Sequence, residues 1–221
     1  MIPPHQSSHF VAAMEQVLDV YKRPYNIARP IICMDESPKQ LIKETRQPIS
    51  MSPGLEKKYD YEYTRCGVCN VFMVNEPLAG KRYVKVTDQK TKNDWAILIR
   101  EIADNYYADA EIITLVMDNL ATHTAAALYE TFEPVEAKRI WDRFEFIYTP
   151  KHGSWLNMAE IELNVLTKQC LSRRIDNKKT IQNEVKAWQN HRNNKDAKIN
   201  WQFTTKDARI KLNRLYQSIE T

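Results

Sequence analysis

Two apolar runs, Ile31-Ile32-Cys33-Met34 and Ile112-Ile113-Thr114-Leu115-Val116-Met117, each end on an aspartate, Asp35 and Asp118. A later helix-like stretch, Asn157-Met158-Ala159, leads into Glu160. Short runs rich in Ile and Val read as buried strands, and open α/β sheets put their sites at the carboxyl ends of strands. Three carboxylates converging there would suit a hard divalent cation, because Mg²⁺ keeps several waters and needs few Asp or Glu ligands where phosphates complete its shell. Two such ions about 4 Å apart can activate an attacking oxygen and stabilise a departing one in phosphoryl transfer. Spacing alone leaves a plainer reading of Asp118 open, since Asp118-Asn119 is also turn chemistry.

The third carboxylate has a rival. Glu160 and Glu162 point about 200° apart on a helix, so only one of them can face the aspartates. Asn164, Thr167 and Lys168 share the side of Glu160, while Gln169 and Arg173 share that of Glu162. Periodicity does not choose between these two polar stripes. The ordinary role for the loser is an exposed helix charge.

The elements that would hold these groups alternate between periods. Phe10, Val11, Met14, Val17, Leu18 and Tyr21 recur at helical spacing, with Ser8 as candidate N-cap and Pro24 as stop. A strand over Pro30 to Asp35 is followed by a proline-bearing segment, Ser37 to Glu56, that reads as a long loop. Tyr63 to Val74 and Arg82 to Thr87 form a hairpin through Glu76-Pro77-Leu78-Ala79-Gly80. Thr91 caps a helix with Asp94 in its first turn and Trp95, Leu98, Ile99 and Ile102 on its apolar face. The Ile112 run, a helical stretch from near Thr124 and a short strand over Phe144 to Tyr148 come next, and everything beyond Asn157 reads as helical. The order is that of a mixed α/β domain.

Composition narrows the setting. A chain of 221 residues with 43% hydrophobic content can bury a substantial core, and no apolar run approaches the roughly 20 residues of a membrane span. The first residues, Met1-Ile2-Pro3-Pro4-His5-Gln6, lack a secretory pattern, so a cytoplasmic location is expected. Cys33, Cys66, Cys69 and Cys170 read as buried thiols. Cys66-Gly67-Val68-Cys69 has half the spacing of a zinc site, but no second pair lies near it. From Lys151 to Thr221 there are 14 Lys plus Arg against 7 Asp plus Glu, a basic bias that suits a polyanionic partner as well as a solvated helical face.

Longer stretches carry a resemblance. Val116-Met117-Asp118-Asn119-Leu120-Ala121-Thr122-His123, followed by Tyr148-Thr149-Pro150-Lys151-His152-Gly153-Ser154-Trp155-Leu156-Asn157-Met158-Ala159-Glu160, resembles the DDE catalytic core of mariner-like transposases, the bacterial insertion-sequence branch above all. In that family an Asp-Asn-x-x-x-His element follows the second catalytic strand, and a Ser-Pro-x-Leu-Asn-Pro-x-Glu-like element carries the third carboxylate on a helix. Asp35, within Cys33-Met34-Asp35-Glu36-Ser37, matches the first aspartate. Gly153-Ser154-Trp155 and Met158-Ala159 stand where the familiar motif has prolines, and the gap from Asp118 to Glu160 is longer than in the animal mariner branch. The likeness extends from about Ile2 to Leu215.

The resemblance implies an α/β, ribonuclease-H-like fold, a mixed central sheet flanked by helices with a helical C-terminal region. It divides the chain into a linker remnant and helix over residues 1–24 and one DDE catalytic domain over 25–221. It makes Asp35, Asp118 and Glu160 the catalytic and metal-holding residues, with two Mg²⁺ or Mn²⁺ ions. The implied partner is double-stranded DNA, element ends and target, cleaved and then joined by strand transfer in the cytoplasm at the nucleoid. Oligomeric state is left open, a homodimer being one option, and no membrane is involved. Helix-turn-helix modules, which the family carries ahead of this domain, have no room before Asp35. That leaves a truncated, inactive remnant acting only by binding DNA or protein as one alternative, and a free-standing ribonuclease-H-like nuclease as another. His123, Lys151, His152, Lys168, Arg173 and Arg174 are the candidate DNA contacts, the last two clustering with Lys178 and Lys179. Trp155 reads as a core anchor before a base-stacking residue.

Overall fold

Successive residues of the first strand are buried on opposite sides of the sheet. Ile31 and Cys33 pack into one apolar cluster, Ile32 and Met34 into another, as the two-residue period of a strand covered on both faces requires. The computed structural model describes residues 8–56, 58 and 60–217. Strands β1 (Ile31–Glu44), β2 (Tyr63–Glu76), β3 (Lys81–Thr87), β4 (Ile113–Met117) and β5 (Phe144–Tyr148) form a single mixed sheet in the order β3-β2-β1-β4-β5. The β1-β2-β3 portion is antiparallel, and β4 and β5 join β1 in parallel.

One layer comprises α1 (Ser8–Tyr21), α5 (Met158–Leu166), α6 (Lys178–Asn194), α7 (Thr205–Lys211) and α8 (Asn213–Gln217). The other comprises α2 (Lys92–Glu101), α3 (Ala125–Thr131) and α4 (Pro134–Trp141). Helix α1 buries the Phe10, Val11, Met14, Val17 and Leu18 stripe against the first layer's core. Helix α2 begins on the expected Thr91 cap, which forms a capping box: the Thr91 hydroxyl accepts from Asp94 N, and the Asp94 carboxylate accepts from Thr91 N. The stretch after Thr124 is two helices, broken before Pro134, which starts α4 at a position where a missing N–H costs nothing.

Three expectations are corrected. The segment after Asp35 is strand, not loop: β1 continues to Glu44, with Pro38 opposite Asn70. Strand β4 pairs only with Ile31, Cys33 and the residue between them, so beyond Asp35 no described strand pairs with the far edge of β1, the setting in which a strand tolerates proline. The region beyond Asn157 is not helical throughout, because residues 172–177 and 195–204 are irregular connections. All four cysteines are free, but Cys66 is exposed on the outer end of β2 while Cys33 and Cys69 are buried. Ser8 is the first helical residue of α1, and its expected cap geometry and the linker remnant before it fall outside the described residues.

Candidate active site

Strand register brings the two aspartates together. Ile31 lies opposite Thr114, and Cys33 opposite Val116; carried two residues further, the same offset sets Asp35 beside Asp118. Asp35 shares the face of Cys33, on which α5 packs against β1, and Asp118 follows directly on the last residue of β4. The end of β4 is pinned by Thr149 N, which donates to Met117 O at 2.9 Å. The chain reaches α5 through a tight turn in which Gly153 N donates to Pro150 O at 2.8 Å. A Cβ on Gly153 would lie 2.6 Å from the Pro150 ring, so the close packing of this turn requires glycine.

Asn157 ties α5 to β1. As N-cap it accepts from Ala159 N at 3.1 Å, and its Nδ2 donates to Met34 O at 2.8 Å, in full burial. One amide thus links the start of the helix carrying Glu160 to the residue before Asp35. Tyr21 adds a hydroxyl bond to Leu156 O at 2.7 Å.

The choice between the two glutamates of α5 is a matter of partners. Glu162, expected as an exposed charge, is 1% exposed and held by Arg82 of β3 through Nε at 2.7 Å and Nη2 at 2.8 Å, and by Arg192 of α6 at 2.8 Å. Burial pushes its carboxyl up, but the two guanidiniums outweigh burial and hold it below the ordinary glutamate value. A carboxylate with its oxygens committed to two arginines is not a free ligand. Glu160, half-exposed on the other side, is close enough to Asp35 for its charge to act there.

That action is seen at Asp35, whose carboxyl is pushed up to about 7. Burial is the main cause, and the charges of Glu36, Asp118 and Glu160 add to it, while a bond from Glu36 N to Oδ1 at 2.8 Å opposes it. Clustered carboxylates that disfavour one another's ionisation form a site whose repulsion a divalent cation would relieve. The donor set is all hard oxygen, as Mg²⁺ and Mn²⁺ prefer.

The basic candidates divide. Lys151, His152 and Lys168 are exposed, and His152 sits in a left-handed conformation at φ 64° in the loop leading to α5. Arg173 is exposed and paired with Glu184. Arg174 is instead a structural tie, donating to Glu44, to Glu62 O and to Asp60 O. His123 is buried beneath Asp118, with no exposed surface for a phosphate; its Nδ1 lies 2.8 Å from Asp118 Oδ1. Trp155 packs half-buried against Phe203 at 5.8 Å. Sequence reasoning missed Glu36 and Arg82. The period-2 alternation of β1 marks Glu36 as inward on the face of Met34, whereas no local signal pairs Arg82 with a residue 80 positions away.

The model of the DDE superfamily endonuclease family matches residues 30–182. The chain belongs to that family. Among solved structures, this DDE domain is similar to the Mos1 mariner paired end complex with Mn at TM-score 0.59 and 14% identity, over 89% of this chain and 60% of that one. It is similar to the Mos1 Strand Transfer Complex at TM-score 0.58 and 13% identity, over 89% and 62%. The fold is ribonuclease-H-like, as the sheet order and flanking helices indicate, and the chain spans less than two thirds of those Mos1 chains. No curated protein matches the sequence significantly. No described helix is long and apolar enough to cross a membrane.

Proposed function

We propose that this DDE domain is a transposase catalytic domain that cleaves DNA strands and transfers the freed 3′ ends to a target, with Asp35, Asp118 and Glu160 holding two Mg²⁺ or Mn²⁺ ions. The observation that supports the reading is the register of β1 with β4, Ile31 opposite Thr114 and Cys33 opposite Val116, with the helix that bears Glu160 packed on β1. The similarity to Mos1 in a paired end complex with Mn and in a strand transfer complex supports it.

Metal ions held by the triad would activate the attacking oxygen and stabilise the departing one. The chain's own residues supply the rest. With its carboxyl pushed up to about 7, Asp35 would release a proton on holding a cation, which would link occupancy to pH. Asn157 and the Arg82–Glu162–Arg192 cluster fix α5 at two points, so that Glu160 meets the aspartates without reorganisation. Lys151, His152, Lys168 and Arg173 would contact the DNA backbone.

Incubation with Mn²⁺ and plain duplex DNA, an RNA–DNA hybrid or DNA bearing the element's terminal repeat tests the reading. Nicking of both DNA substrates, with joined products from the repeat, is expected. Cleavage confined to the RNA strand of the hybrid would make the domain a ribonuclease, and no cleavage of any substrate would make it a binding module.

A further inference from the structure

Glu36 follows Asp35 directly, yet the alternation of β1 turns it to the opposite face, the side of Met34 and α2. Its side chain is 2% exposed there, and a buried carboxylate is costly without a partner. Lys90 Nζ lies 3.3 Å from Oε1. Oε2 makes no hydrogen bond among the described residues and faces His123 Nε2 at 3.6 Å.

His123 is 1% exposed and addresses Asp118 with its other nitrogen. The 2.8 Å approach of Nδ1 to Oδ1 is off-line for a hydrogen bond, and the Asp118 carbonyl oxygen stands 3.3 Å from the same nitrogen. The ring is stacked on Trp95 at 5.6 Å, and the Tyr148 hydroxyl donates to His123 O at 3.0 Å. The three side chains bring ligand atoms within 4.8 Å of one another, but His123 meets the two carboxylates through opposite ring nitrogens, so a single ion cannot replace both contacts.

We propose that Glu36 and His123 are positioning residues that orient the Asp118 carboxylate for metal: Glu36 sets the imidazole from behind, and the ring, held by Nδ1 at the Asp118 carbonyl oxygen, packs against Oδ1 and leaves the other oxygen free. The proposal rests on the reading of Asp118 as a ligand. Groups that fix ligands from behind commonly change metal affinity by about 10- to 100-fold.

Mn²⁺ binding to the whole chain, followed by calorimetry with melting recorded for every variant, tests it. Asp118→Asn should abolish binding, and His123→Ala should weaken it about 10-fold or more. His123→Asn, whose amide nitrogen reaches the place of Nδ1, should restore most of the affinity, whereas His123→Gln, whose nitrogen reaches the place of Nε2, should not. Glu36→Gln should weaken binding in the wild type and add nothing in His123→Asn, because it acts through the ring. Should His123→Ala unfold, the Asn and Gln variants carry the comparison. Wild-type affinity in His123→Ala, or equal affinity in the Asn and Gln variants, would overturn the positioning role while leaving Asp118 a ligand. Loss of a whole binding equivalent in Glu36→Gln would make Glu36 a ligand and overturn it too. Undiminished binding by Asp118→Asn, or none by the wild type, would overturn the underlying reading instead.

Discussion

Replacing Asp35 by Asn should stabilise the metal-free protein, and by an amount that grows with pH. The carboxyl is pushed up to about 7 in the folded chain, from an ordinary value of 3.8. The native state therefore keeps a proton that the unfolded chain loses above about pH 4, so stability falls as pH rises through this window and levels off above about 7. At 1.36 kcal/mol per pH unit the full penalty is about 4 kcal/mol, and about 2–3 kcal/mol of it develops between pH 5 and pH 8. Asparagine removes the charge and retains an oxygen to accept from Glu36 N, as Asp35 does. Urea unfolding of both proteins without metal, at pH 5 and pH 8, measures the effect. Asp35→Asn should gain roughly 2–3 kcal/mol more at pH 8 than at pH 5, and Mn²⁺ at pH 8 should narrow the gap by stabilising the wild type. An equal gain at both pH values, or a loss at pH 8, would refute the claim that burial and the neighbouring carboxylates hold the Asp35 carboxyl up.

Other variants separate the site from its scaffold. Asn157→Ala should cost about 1–3 kcal/mol in urea unfolding, through the lost cap and the unpaired Met34 carbonyl; Asn157→Asp, which keeps the capping acceptor but turns a carboxylate oxygen onto the buried Met34 carbonyl, should lose at least as much. Glu162→Gln, leaving Arg82 and Arg192 without a full counter-charge, should destabilise by about 2 kcal/mol or more and keep Mn²⁺ affinity in calorimetry, whereas Glu160→Gln should do the reverse. Native alkylation followed by mass spectrometry should label Cys66 first and spare Cys33, whose thiol is buried and pushed up to about 12.

What could be read in the sequence follows from how local each interaction is. Asp35 and Asp118 stand out in the sequence as candidates because each follows a short apolar run, although β1 itself continues past Asp35 to Glu44, and the cap at Thr91 is legible because its partner is three residues away. The length of β1 is not legible: Pro38 is a breaker in isolation, and it is acceptable because no described strand pairs with the far edge of β1 beyond Asp35. Glu162 looked like a surface charge because its neutralising partners, Arg82 and Arg192, come from other elements. His123 was legible as belonging to the site, but its burial under Asp118 depends on Trp95 and Glu36, which the chain brings together only on folding.

Mn²⁺-dependent nicking of supercoiled DNA by the purified chain, compared with Asp35→Asn, Asp118→Asn, Glu160→Gln and Glu162→Gln at matched folded concentration, tests the central claim most directly. The triad account predicts nicking by the wild type, its loss in the first three variants and its persistence in the folded fraction of Glu162→Gln. Unchanged nicking by Asp118→Asn or Glu160→Gln would contradict it.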